Sequence, residues 1–453
     1  MRVLRLARYG VLAIVTTSIM ALLAGVNAAN PAAARVTRAG AAPASSGGAQ
    51  QWVSWYTGPG AQEDLSQAIA VAHNGSAVFV TGWFTSADRV DRDYATVAYK
   101  ASTGAKLWAR RYTGVGGQGG IAQAVAVDQA GTRVFVTGYS LGQNSFTDYV
   151  TIAYNAVTGA RLWLRRYDGP ASGHEYASDV VVSPDGSRVF VTGTSRPGSP
   201  GRSDYATVAY DAATGAQLWA ARYSGPGGPN DTAYSLAVGP GGKTVYVTGQ
   251  SRRAIATVAY NAATGRQQWV SRRGGSPRAI AVSPDGHVVY VTGSFGLSFG
   301  TVAYNAATGT IRWHSRYTPA TVSGANWLAV SPSGTMVYVT GVAFPDFETV
   351  AYNAATGARR WARRFNGPGN SYAFAPQVAV GPHGHTVYMA GGPGQHTATV
   401  AYNAATGATQ WTRVHRGTCT AMAVNPVTGA VYITGGAVRT ASFFDYMTIA
   451  YHG

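Results

Sequence analysis

Apolar residues along this chain fall in short runs of Val, Ala, Ile, Phe and Tyr, each cut off after a few positions by a polar turn. Runs of that length between turn signals read as strands, because helices need longer segments with a 3.6-residue period. One unit, Tyr176 to Tyr223, shows the full pattern. Strand A is apolar (Asp179 to Ser183), Pro184-Asp185-Gly186 turns the chain, and strand B runs from Arg188 to Thr192. A loop of variable length leads to strand C (Tyr205 to Tyr210), the turn Asp211 to Gly215, and strand D (Gln217 to Tyr223). The turn residues agree with this order: Pro presets φ, Asp or Asn bonds its own backbone, and Gly accepts the positive φ that closes a hairpin. Strands A and B are apolar on both faces, as expected where neighbouring sheets cover them.

The unit repeats. The tyrosine ending strand C falls at Tyr99, Tyr154, Tyr210, Tyr260, Tyr304, Tyr352, Tyr402 and Tyr451, spaced 44 to 56 residues apart. The strand-D tryptophan recurs as Trp108, Trp163, Trp219, Trp269, Trp313, Trp361 and Trp411, and no tryptophan follows the last tyrosine. The missing strand lies at the other end of the chain, where Gln51 to Gly58 aligns with Lys106 to Gly114 and sets Trp52 in register with Trp108. Repeats of about 40 to 50 residues with four short strands are propeller blades, which cannot bury their faces alone. The expected fold is all-β: an eight-bladed β-propeller, four antiparallel strands per blade, the last blade closed by the N-terminal strand. Residues 51–453 form this one domain. Length alone would have suggested about three domains; the period overrides it.

Ahead of the repeats, residues 1–28 have the layout of a secretory signal peptide: Arg2, Arg5 and Arg8, an apolar run from Val11 to Val26, then small residues. Residues 29–50 are rich in Ala, Gly, Ser and Pro and read as a flexible spacer. The protein is therefore expected to be secreted and extracellular, in contact with the cell wall, with no membrane span after cleavage and as a monomer.

The net charge of +17 falls to +14 without the leader. Many arginines sit just after the repeated tryptophans: Arg110, Arg111, Arg165, Arg166, Arg222, Arg272, Arg273, Arg316, Arg363, Arg364 and Arg413. On an outermost strand such charges discourage edge-to-edge aggregation, and their even spread argues against specific nucleic-acid binding. A single cysteine, Cys419, excludes an internal disulfide and any multi-cysteine metal site, and is expected as a buried small hydrophobe.

Asn403 to Trp411 (NAATGATQW) resembles the repeat of PQQ-like quinoprotein propellers, in which the tryptophan packs against the neighbouring blade. Ser283 to Gly293 (SPDGHVVYVTG) resembles the YVTN-type repeat, and Asp93 to Tyr99 (DYATVAY) is similar to bacterial SBBP-type repeats. These resemblances imply a propeller and leave its chemistry open, because fold and function separate in this class. The vicinal cysteine pair that the quinoprotein resemblance would imply is impossible with one Cys.

Motifs that could carry chemistry are explained by the repeat. Gly114 to Gly119 matches GxGxxG, but no helix follows to receive a pyrophosphate. Gly138 to Gly142 matches GxSxG without the helix of a nucleophile elbow, and Ser195 and Ser251 recur at the same place as Ser140. Asp93, Asp148, Asp204, Asp346 and Asp445 share one position and are expected to cap backbone N–H groups where strand C begins. His383 and His385 belong to a turn with no third ligand nearby, so no metal site is expected.

Departures from the repeat are the better signal. The longest irregular loops are Thr85 to Arg92, Leu141 to Thr147, Arg196 to Ser203 and Ala171 to Glu175, all on one face of a propeller. Their polar residues, Asp88, Arg89, Asp91, Arg92, His174, Glu175, Arg196 and Arg202, are the ligand-binding candidates. No catalytic residue is expected. The expected function is a secreted, non-catalytic binding or scaffold module for a protein or cell-wall glycan, without cofactor. The alternative is a PQQ-type dehydrogenase or a glycan-active lyase or hydrolase on the same fold, with PQQ and calcium belonging to that alternative alone.

Overall fold

A computed structural model describes residues 47–453 apart from 61, 87–90, 143–145, 171, 197–201, 228–229, 320, 322, 367–372, 394–395 and 439–442. The expected leader, most of the spacer, and Asp88 and Arg89 lie outside the described residues.

The described residues form eight four-stranded antiparallel sheets, each in the order A-B-C-D. Blade 1 is Asp64–Val71, Ala77–Thr85, Arg92–Lys100 and Lys106–Tyr112. In blade 3 the strands run further into the loops than their apolar cores suggest: His174–Val182, Arg188–Arg196, Asp204–Asp211 and Gln217–Tyr223. Blade 8 takes strands A to C from Ala421–Val424, Val431–Val438 and Phe444–Tyr451, and its outer strand from Gln50–Tyr56. Tyr56 pairs with Tyr446 and Gln50 with Tyr451. The ring closes between the two ends of the sequence, as the displaced tryptophan implies.

What joins one blade to the next is the strand-D tryptophan. Trp108 lies between Phe79 of its own blade and Tyr154 of the next, with ring centroids 5.8 and 5.9 Å away. Its Nε1 donates to the Ala156 carbonyl at 2.9 Å. The turn that carries Ala156 continues to Gly159 at φ 68°, and a Cβ there would come within 2.6 Å of the indole. Only glycine both adopts that backbone and allows that approach. The same bond links Trp52, Trp163, Trp219, Trp269, Trp313 and Trp361 to Ala101, Ala212, Ala262, Ala306, Ala354 and Ala404. At the closure, Trp411 meets Gly48, whose φ of 77° makes it the stand-in for the turn glycine. Gly48 falls in the segment expected to be spacer, yet its backbone bonds His452 and Arg413.

Many of the arginines expected to protect free edges make inter-blade contacts. Arg110 donates through Nε to Gly159 O and through Nη2 to Thr158 O of the next blade, and Arg165 and Arg363 repeat this on Gly215, Thr214, Gly407 and Thr406. Arg111 reaches back to the Tyr56 hydroxyl and Arg166 to that of Tyr112. Arg166, Arg222 and Arg364 also pair with Asp148, Asp204 and Asp346 across the sheet. Those three aspartates, expected as backbone caps, thus anchor arginines.

The blades are not equivalent at the tryptophan carbonyl. Ala306 O accepts both Trp269 Nε1 and, at 3.2 Å, the Tyr246 hydroxyl, whereas blade 1 has Phe79 where blade 4 has Tyr246. Trp108→Phe should therefore leave Ala156 O with no side-chain donor and lower stability more than Trp269→Phe, by about 1 kcal/mol or more. Denaturation midpoints of the two variants, compared with the parent, check this difference.

Candidate functional site

Loops joining B to C and D to A lie on one face, and the candidates described there fall into two groups. In blade 1, the Arg92 guanidinium stacks 3.9 Å from the buried Trp83 ring. Burial lowers its pKa, opposed by nearby Glu63. The backbone of Asp91 folds the loop: its N–H donates to Ser86 Oγ and its carbonyl accepts from Ser86 N. The glycine-rich stretch after this blade makes a three-residue 3₁₀ turn, Val115–Gly117, rather than a helix.

The second group gathers where blades 2 and 3 meet. His174 opens strand A of blade 3 opposite Arg196 on strand B. Its Nδ1 lies 3.2 Å from Thr147 Oγ1, and burial together with Arg196 lowers its pKa, which favours the neutral ring. It packs edge-on to Phe146 at 5.0 Å and stacks 6.0 Å from Tyr176, which in turn meets Tyr139 edge-on at 4.9 Å. Tyr139, Tyr176, His174 and Phe146 are each half-buried, so one row of rings crosses from blade 2 to blade 3 with part of its surface open. Arg202 is exposed beside blade 3.

Glu175 is 1% exposed. Its place in the repeat is that of Asp64 and Asp231, whose carboxylates clamp the preceding loop by accepting from the backbone N–H of Gly58 and Gly225. Glu175 does the same for Gly169 and also accepts from Ser195 Oγ at 3.0 Å. Burial raises its carboxyl to about 7, with Asp168 and Asp148 adding to the rise. A carboxylate oxygen from each of Asp148, Asp168 and Glu175 lies within 4.8 Å of those from the other two. Asp168 was not among the sequence candidates. Its signal was there to read: Thr57, Thr113 and Ser224 occupy its position in other blades.

Ser140 is buried and donates to Leu141 O, and His383 and His385 are exposed in their turn. Cys419 is buried with its thiol pushed up to about 12, so it carries no thiolate at pH 7. Two shallow hollows, one lined by Tyr246, His287 and Arg312 and one by Asp185, Arg188 and Lys243, are lined by residues of the opposite, turn-bearing face and its strands.

Eight four-stranded blades of this repeat define a PQQ-like β-propeller. The family model described as outer membrane protein assembly factor BamB matches residues 34–297 and 257–445, and the chain belongs to that family. No curated protein matches. Among solved structures, BamB from Moraxella catarrhalis is 16% identical, covers 89% of this chain and 97% of its own, with TM-score 0.50. Quinohemoprotein alcohol dehydrogenase from Comamonas testosteroni is 13% identical over 90% of this chain and 76% of its own, with TM-score 0.60. The Dos1 propeller is 10% identical over 89% and 94%, with TM-score 0.60. At these identities the likeness is one of fold. Among the described residues no helix is long and apolar enough to cross a membrane.

The raised Glu175 carboxyl carries a pH signature. Unfolded, the group titrates at its ordinary value of 4.5, and folded at about 7, so between these values the native state holds the extra proton. Its contribution favours folding at low pH and is lost as pH rises through that window. In EDTA, the melting temperature of Glu175→Gln minus that of the parent should therefore increase from pH 5 to pH 8, which a thermal melt at each pH would measure.

Proposed function

We propose that this chain is a secreted, non-catalytic propeller that binds a protein partner through the loop face of blades 1 to 3. The observation that carries the reading is the half-buried row Tyr139, Tyr176, His174 and Phe146, with Arg92 stacked on Trp83 one blade away. Aromatic residues and arginine dominate binding energy at protein interfaces, because each offers a rigid apolar face with a polar tip. The rings are held by their neighbours before a partner arrives, so little conformational entropy is lost on binding. The description of the matching family as an assembly factor supports a protein as the partner. A cell-wall glycan stacked on the same rings is the other ligand this face suits.

The dehydrogenase alternative gains nothing from the described residues. Cys419 is the single cysteine of the chain and is buried in the blade 7–8 core, so no vicinal pair exists to meet PQQ.

Pull-down from envelope extracts of the producing cells tests the reading against a Tyr139→Ala/Tyr176→Ala variant, whose changes leave the tryptophan interfaces untouched. The parent should recover a protein that the variant recovers about tenfold less, as expected for loss of two hot-spot rings. Equal recovery by both would refute the assigned face, and recovery of glycan alone would move the ligand class. For the enzyme alternative, PQQ added over calcium should leave the melting temperature unchanged; a bound cofactor would add about 2.7 kcal/mol at 100 times Kd.

A further inference from the structure

At the seam of blades 2 and 3, three carboxylates converge from separate segments. Asp148 is the second residue of strand C of blade 2 (Thr147–Asn155), Asp168 lies in the loop between the blades, and Glu175 is the second residue of strand A of blade 3. We propose that Asp148, Asp168 and Glu175 hold a calcium ion. The oxygens already stand within 4.8 Å of one another. Oxygens bound at 2.3–2.6 Å on opposite sides of calcium can lie up to ~5 Å apart, whereas magnesium at 2.0–2.1 Å would draw them to ~4 Å. Hard, oxygen-only donors select calcium over zinc or copper.

A second observation points the same way. Glu175 is 1% exposed, and its Oε2 has no hydrogen-bond partner among the described residues. Its repeat counterpart Asp64 commits both oxygens, one to Gly58 N and one to Thr85 N. A loop clamp needs only the shorter aspartate. The extra methylene of Glu175 keeps the clamp on Gly169 and leaves one buried oxygen over, at a seam where the position held by Thr57, Thr113 and Ser224 in other blades is Asp168. Two departures from the repeat thus meet at one point beside a repeat aspartate.

Charge completes the case. The nearest guanidiniums are already engaged: Arg166 on Asp148 Oδ2, Tyr112 and two carbonyls, and Arg222 on Asp204 and Ser195. One arginine against three carboxylates leaves the cluster short of positive charge, and a buried carboxylate without a counter-charge is costly. A divalent ion would remove that shortage and tie the inter-blade loop to two blades, next to His174. The inference stands independently of what the aromatic row binds.

Calorimetric titration of CaCl₂ into the EDTA-stripped full chain tests it. The expected result is one site with Kd of about 10⁻⁵ to 10⁻³ M and weaker binding of magnesium. Asp168→Asn changes an exposed loop residue and should weaken binding by about tenfold or more, as should Glu175→Gln. Asp204→Asn, at the blade 3 counterpart of Asp148, should leave it unchanged. No calcium heat up to about 10 mM, or full-strength binding by Asp168→Asn, would overturn the site.

Discussion

Each blade of this protein is completed by a tryptophan that belongs to its neighbour. The indole fills the gap between two sheets, its N–H meets the alanine carbonyl of the next C–D turn, and the turn can come that close because a glycine lies over the ring. Sheets packed face to face stand roughly 10 Å apart, and a large flat side chain with one donor suits that space better than an aliphatic one. Every other feature of the ring adjusts to this contact. The closure shows how strict it is: Trp411 has no hairpin turn ahead of it, and Gly48 from the other end of the sequence supplies the missing glycine.

The same contact explains where the positive charge went. Arginines two and three places beyond the tryptophan, as in Arg110 and Arg111 after Trp108, reach the neighbouring turn carbonyls or the preceding blade's tyrosine hydroxyl. A planar guanidinium with several fixed donors satisfies exposed turn carbonyls better than an ammonium could. Much of the net charge is therefore spent in the joints between blades and is less free to face an anionic polymer than its total suggests. Because turns and tryptophans occupy one face and the outer rim, variation is left to the loops of the other face. There the chain keeps its aromatic row, its stacked Arg92 and its convergent carboxylates. Such loops can change without disturbing the joints, which is the usual division between scaffold and site.

The number of blades, their strand order and the closure by Gln50–Tyr56 could all be read from sequence, because the tryptophan and the turn glycine are local signals at a fixed period. The loop face near the first blades could be located in the same way, from loops that depart from the repeat. His174, Glu175 and Arg196 were recognisable as polar departures, and the fold brings them together at one strand pair. What linear spacing could not supply was pairing at a distance. That Asp148 faces Arg166 and Tyr139 reaches Tyr176 depends on strands distant in sequence lying side by side, and that Asp168 meets Glu175 depends on the path of the loop between two blades. A period tells which residues are equivalent and what turn they need; only the packed ring decides which side chains meet across a seam, since contact there depends on bulges, loop paths and rotamers that the repeat does not encode.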